Sequence, residues 1–198
     1  MSGSEQDRVQ AIYDEFAKSY DDHYASAEFQ EEDQSLFKIV SPWIRGKVLD
    51  LGCGTGLSLS YNDINKDDYL GVDPSAGMLE KLTAKFPGFI TVNSTFEQWS
   101  ETDKDSKFDT ILGLFGAPAY FAKESYAGVL ARLTTKGHYF LMFYKPGYFP
   151  AHIYTEEDIA AAKARIDYDL INSTFETTFI FTNYLVATNI PKEFLPAR

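Results

Sequence analysis

The residues best placed to do chemistry form one unbroken run, Val48-Leu49-Asp50-Leu51-Gly52-Cys53-Gly54-Thr55-Gly56. Its apolar start reads as a buried strand, and its three alternating glycines read as a tight turn into a helix. Glycine tolerates positive φ and lets a ligand come close to the backbone. Open α/β sheets bind ligands at such loops, at the carboxyl ends of strands. A dinucleotide fingerprint would need its third glycine at position 57, which is Leu57. No lysine followed by Ser or Thr comes after Gly56, so a phosphate-cradling loop is not spelled out either. A second apolar run, Tyr69-Leu70-Gly71-Val72-Asp73, ends in a carboxylate roughly twenty residues after Asp50. That side chain can accept hydrogen bonds from the two vicinal hydroxyls of a ribose. The ligand these residues describe is a nucleoside with a free ribose and no required phosphate.

VLDLGCGTG followed by GVDPS resembles motif I and its partner in the class I S-adenosylmethionine-dependent methyltransferases. The resemblance in element order runs from about residue 8 to the C-terminus. It implies an α/β fold: a three-layer Rossmann-like sandwich, its mostly parallel seven-stranded sheet carrying an antiparallel C-terminal strand. It implies methyl transfer with S-adenosyl-L-methionine as cofactor and S-adenosyl-L-homocysteine as product. It places Gly52, Cys53 and Gly54 under the cofactor's amino-acid portion. Asp50 would orient that loop and face the amine, and Asp73 would hold the ribose. Pro74 and Met78 would lie near the adenine, where a thioether suits an aromatic face. Cys53 reads as a small packing residue, not a nucleophile.

After the third apolar run comes Asn93-Ser94-Thr95-Phe96-Glu97-Gln98-Trp99. Many relatives in the resembled family carry an acidic adenine ligand here. This sequence offers Asn, Ser or Thr, so the expected contact is a hydroxyl such as Thr95 or the backbone, with Phe96 packing on the ring and Glu97 as a substitute. Gly113-Leu114-Phe115-Gly116-Ala117-Pro118-Ala119-Tyr120-Phe121 lacks the Asn/Asp-Pro-Pro signature of base and glutamine amino methyltransferases. The stretch, Leu114 included, is expected to line an apolar site. His152 follows the fifth strand's C-terminal end and is a candidate general base, as is His23 in the N-terminal helical region. His138 opens the fifth strand on the far side and reads as structural. Tyr13 and Tyr20 are candidates to reach the cofactor from a lid, Tyr20 also as a catalytic group. The sulfonium methyl is already activated, so the protein need mainly align the reactants and exclude water. The expected acceptor is an O or N atom of a small, partly apolar molecule. The alternatives are a non-catalytic cofactor-binding module or partner subunit, a protein or RNA methyltransferase, and, weakened by Leu57, a nucleotide-dependent oxidoreductase.

These loops need a frame, and the hydrophobic periods supply one. Helical spacing runs from Gln6 to Tyr24 and from about Gln34 to Trp43. Five apolar runs follow: 47–51, 69–73, 89–92, 108–112 and 138–144. Helical patterns at 75–86, 123–133 and 155–166 separate or follow them. The tail from Tyr168 to Asn189 reads as two antiparallel strands with no helical gap. Alternation of strand and helix calls for a mostly parallel sheet covered on both faces. One domain over residues 1–198 is expected, with residues 1–45 as a helical lid or cap.

Composition excludes other classes. The chain has 198 residues, one cysteine and three histidines. That rules out an internal disulfide and a zinc finger-type cluster, and no metal is expected. Its 18 basic and 29 acidic residues give a formal charge of −11, which argues against DNA and other polyanions as partners. No signal peptide or membrane-length apolar run is present, so a soluble cytoplasmic protein is expected. Aromatic residues make up 16% of the chain. Phe108, Phe140 and Phe143 fall in strands. Tyr13, Tyr20, Phe115, Tyr120, Tyr148 and Phe149 fall on segments expected to ring the crevice.

Overall fold

The computed structural model describes residues 3–150 and 166–196. Its strands are β1 (Val48–Leu51), β2 (Tyr69–Asp73), β3 (Ile90–Asn93), β4 (Phe108–Gly113), β5 (Leu133–Tyr144), β6 (Thr177–Phe181) and β7 (Tyr184–Thr188). They form one sheet in the order β3-β2-β1-β4-β5-β7-β6. The first five are parallel, and β7 runs antiparallel to both neighbours. Helices α1 (Gly3–Phe16), α2 (Tyr20–His23) and α3 (Ala27–Val40) precede the sheet. Within it come α4 (Leu57–Tyr61), α5 (Ala76–Lys85), α6 (Phe96–Thr102), α7 (Tyr126–Leu130) and α8 (Tyr168–Thr174).

Strand alternation divides the core in two. Val48, Leu112, Phe140 and Met142 point to one face and pack on Leu36 and Val40 of α3 and on Leu79 and Leu82 of α5. Leu49, Leu51, Ile111, Tyr139, Leu141 and Phe143 point to the other and meet Phe96, Trp99, Val129 and Ile171 from α6, α7 and α8. Both faces are covered, so central strands read as continuous apolar runs. The result is the expected three-layer α/β sandwich with a mostly parallel seven-stranded sheet. The chain winds outward from β1 in both directions, so the carboxyl ends of β1 and β4 flank a topological switch point, where such sheets leave a crevice.

Several element boundaries differ from the sequence reading. The helix expected over 6–24 breaks: α1 stops at Phe16, and Lys18 and Ser19 bond three residues back before α2 begins. The helix expected at 34–43 starts earlier, at Ala27. It ends at Val40 in a 3₁₀ turn whose Pro42 has no N–H to continue the ladder. The helix expected over 123–133 shrinks to a 3₁₀ turn at Lys123–Ser125 plus α7. Strand β5 begins at Leu133, not at 138. Its first residues are only partly covered, and the register to β4 slips between Phe108 and Thr110, which hides the strand period. The tail does contain a helix, α8, started by Asp167, whose carboxylate accepts the Leu170 N–H at 2.9 Å. The helix expected at 155–166 falls almost wholly outside the described residues. Among the described residues, no helix is long and apolar enough to cross a membrane.

Candidate active site

The crevice is a cavity at the carboxyl ends of β1, β2 and β4. Its floor is the glycine loop. Gly52, Gly54 and Gly56 all have positive φ, and Gly54 has nothing within 4 Å of where a Cβ would stand. Bare backbone therefore faces the opening. Gly52 donates its N–H to Val72 O at 2.7 Å, which binds the loop to β2.

Two carboxylates organise this floor. Asp73 accepts the Gly54 N–H at 2.9 Å on Oδ2 and the Ser75 N–H at 2.8 Å on Oδ1. It thereby holds together the loops after β1 and β2. Burial pushes its carboxyl up and these two bonds pull it down, leaving it at about 6. Asp50 is also buried. Its Oδ2 accepts from Ser58 Oγ and, at 3.0 Å, from Tyr69 Oη. Burial raises it, against the pull of those two hydroxyls, again to about 6. Asp50 thus ties α4 to β2 from beneath the loop.

Every residue expected to touch a cofactor lines this one cavity: Asp50, Gly52, Cys53, Gly54, Asp73, Pro74, Met78, Thr95, Phe96, Leu114, Tyr13 and Tyr20. Cys53 is buried, and its thiol is pushed up by burial and by the nearby Asp73 and Asp50 carboxylates, so it is inert as a nucleophile. Gly71 leaves room for its sulfur, since a Cβ there would stand 2.8 Å from Cys53 Sγ. Thr95 caps α6 by accepting the Gln98 N–H at 3.2 Å. Asn93 donates to Asp73 O and Pro74 O. Glu97 accepts the Ala122 N–H at 2.8 Å and the Ser125 hydroxyl at 3.2 Å, so it braces the loop after β4.

The catalytic candidates part company. Tyr20 reaches the cavity, and burial pushes its phenol well up, with Tyr24 and Tyr13 adding to the effect, so it stays neutral and is no base. His23 does not reach the cavity: it is exposed and packs among Phe16, Tyr24 and Phe29 on the outside of the N-terminal segment. His152 lies outside the described residues. His138 sits within β5 against Trp43, far from the crevice, as expected of a structural residue. Tyr148 and Phe149 do not line the cavity; both pack on Tyr144, which lies behind its wall.

The sequence reading missed the aspartates that hold the N-terminal segment in place. Asp14 of α1 accepts from Ser75 Oγ at 2.6 Å and from Gly77 N at 3.0 Å. Asp21 of α2 accepts from Thr55 Oγ1 at 2.6 Å and pairs with Lys85 at 2.8 Å. Burial raises the Asp21 carboxyl, but the bonds from Lys85 and Thr55 outweigh it and hold the group below its usual value. Ser75 and Thr55 belong to the loops that Asp73 joins, and Gly77 to the first turn of α5 that follows. Replacing Asp14 by alanine should therefore free α1, with a loss of about 1–3 kcal/mol for the orphaned donors. Hydrogen exchange should show lost amide protection across residues 8–16, with β4 and β5 unchanged.

Residues 48–136 match a family described as a methyltransferase domain. That match covers less than half of the chain, and over the rest the likeness is one of fold to solved structures. The fold is that of the class I methyltransferases. DhpI, solved in complex with SAH, aligns over 95% of this chain and 97% of its own, at 14% identity and a TM-score of 0.66. A TehB-like SAM-dependent methyltransferase from Corynebacterium glutamicum aligns over 90% of this chain and 97% of its own, at 20% identity and a TM-score of 0.53. DesVI from Streptomyces venezuelae aligns over 68% of this chain at 19% identity and a TM-score of 0.51, and there the match spans 60% of DesVI. At these identities the likeness is one of fold. No curated protein matches the sequence. In this methyltransferase fold, the glycine loop and Asp73 occupy the crevice where the topology places a ligand.

Proposed function

We propose that the protein is an S-adenosyl-L-methionine-dependent methyltransferase acting on an O or N atom of a small, partly apolar molecule. The observation that carries this is the bare backbone at Gly54 facing the same cavity as the Asp73 carboxylate, opposite a wall of aromatic side chains. The site fits the cofactor. Gly52, Cys53 and Gly54 would pass under its amino-acid portion, Asp73 would accept from its ribose, and Pro74, Met78 and Phe96 would bound its adenine. Bound there, it supplies an activated methyl group. The protein's own part is alignment and exclusion of water. We read the chain as one domain, with residues 1–45 forming a lid held shut by Asp14 and Asp21. DNA is not among the proposed partners, because the cavity wall is acidic.

Calorimetric titration with S-adenosyl-L-methionine and S-adenosyl-L-homocysteine tests the cofactor assignment. Heat and thermal stabilisation by both are expected; their absence overturns it. Turnover of any acceptor in a labelled-methyl assay then separates an enzyme from a binding module.

The carboxylates predict a pH dependence with two opposed signs. Asp50 and Asp73 sit at about 6 in the folded chain, above the usual 3.8. The folded state therefore holds their protons more tightly than the unfolded state. The stability they contribute is fully present below about pH 4 and is lost as pH rises through about 6. Cofactor affinity should move the other way, rising between pH 5 and 7, because only the ionised Asp73 accepts from both backbone donors and a ribose. Denaturant unfolding and calorimetry over the same pH series check both.

A further inference from the structure

We propose that Phe115 sets the size of the group the cavity admits beyond the cofactor's sulfur, and so of the acceptor, its ring closing the cavity on the side of β4. This rests on the reading of the cavity as an S-adenosyl-L-methionine site. The first support is the backbone. Leu114 to Ala117 form a turn closed by the Ala117 N–H, which donates to Leu114 O at 3.1 Å. Both central residues have positive φ, Phe115 at +50 and Gly116 at +90 with ψ −1. That is a type I′ turn, whose first central position favours Asn, Asp or Gly. A phenylalanine there is strained, and such strain collects at binding sites. Among the described residues only one other non-glycine residue has positive φ, Thr182, and it does not line the cavity.

The second support is rigidity. The Gly116 N–H donates to Met142 O at 3.1 Å. The Tyr144 ring lies so close beneath Gly116 that a Cβ there would stand 2.3 Å from its Cζ. The turn is thus clamped to β5, and the Phe115 side chain leaves it in a set direction. Its ring meets Tyr184 edge to face, with centroids 5.7 Å apart at 89°. Tyr184 does not line the cavity, whereas Phe115 does. Phe115 is only half-buried between the buried Leu114 and Gly116. A ring backed by Tyr184 has no room to retreat, and its uncovered part belongs to the cavity.

The third support is place. The sheet runs β2-β1-β4 across the crevice. Asp73 ends β2, the glycine loop follows β1, and Phe115 follows β4. In the cofactor, sulfur joins the ribose to the amino-acid portion. A ribose at Asp73 and an amino-acid portion over Gly52 to Gly54 hold that sulfur above the carboxyl ends of β1 and β2. Its third substituent, the methyl, then faces the side on which β4 lies. The acceptor has to approach from there, in line with the C–S bond.

The test needs no acceptor. Calorimetry on the full chain compares S-adenosyl-L-methionine with the analogue that carries benzyl in place of methyl on sulfur. The wild type should bind the benzyl analogue about 30-fold more weakly, the scale of overpacking against a fixed wall. Phe115→Ala should narrow that ratio to about threefold, and Phe115→Leu should fall between. Each variant is read as a ratio of two Kd values, so a change common to both ligands cancels. Phe115→Gly should narrow the ratio as the alanine does and melt about 2–4 °C above it, because glycine takes positive φ without strain. It also carries the test where the alanine variant does not fold. A wild-type ratio near one, or a ratio that neither small residue changes, overturns the inference and leaves the cofactor assignment standing. A glycine variant no more stable than the alanine one overturns the argument from strain. No binding of S-adenosyl-L-methionine by the wild type overturns the inference and the cofactor assignment together.

Discussion

Gly52→Ala is expected to abolish measurable cofactor binding and to destabilise the chain by about 2–4 kcal/mol, read by denaturant unfolding and calorimetry. Two effects add. The residue sits at φ +68, where a Cβ crowds its own carbonyl, at a cost of about 1–2 kcal/mol. That Cβ would also stand 2.4 Å from the Ala117 Cβ, where ordinary contact needs about 3.5–4 Å. Neither partner is a flexible side-chain end, so backbone has to move. Gly52 cannot retreat without breaking its bond to Val72 O. The loop carrying Ala117, Tyr120 and Phe121 must then shift, and it forms a wall of the cavity. Gly54→Ala is the contrast. Its Cβ meets nothing within 4 Å, so stability should fall by backbone strain alone while the methyl occupies ligand space. Ala117→Gly in the Gly52→Ala background removes the clash and should recover part of the stability.

That collision marks the boundary of what the sequence discloses. The place of the glycine loop and Asp73 at one crevice was legible because motif and strand period are local: a few adjacent residues encode both the turn and the strand end. The core strands were legible for the same reason, since burial on both faces leaves an unbroken apolar run. Asp14 and Asp21 were not. Their partners Ser75 and Thr55 lie 61 and 34 residues away, and an aspartate on a polar helix face looks like any solvated one. The break between α1 and α2 was hidden because apolar spacing continues through the turn from Ala17 to Ser19. The start of β5 was hidden because a slipped register leaves Thr135 and Lys136 exposed, and α8 because Tyr, Leu and Ile near a strand-rich tail fit either period. His23 misled because its chemistry is readable from sequence, whereas the side of the helix facing the cavity is not.

Asp73→Asn should cost cofactor binding at least 100-fold while leaving the fold largely intact. The two effects separate because the carboxylate serves them differently. Its oxygens accept one backbone N–H each, from Ser75 and Gly54, and an asparagine of the same shape offers only one acceptor. Whichever way the amide turns, its NH₂ meets an N–H, and one of the loops that form the cavity floor is released. A charge-assisted bond of this kind contributes about 1.5–3 kcal/mol, and the same loss would recur at the proposed ribose contact. Together they correspond to two decades or more in affinity, at 1.4 kcal/mol per tenfold. Stability has an offset that affinity lacks. At neutral pH the native residue holds a buried charge whose carboxyl has been pushed up to about 6. The neutral amide removes that burden just where it is greatest, above pH 6. The variant should therefore unfold near the wild-type denaturant midpoint at pH 8 and fall behind it at pH 4, where the native carboxyl is protonated and its contribution to stability is fully present. A variant that bound S-adenosyl-L-homocysteine normally would overturn both contributions, the joining of the two loops and the contact with the ligand.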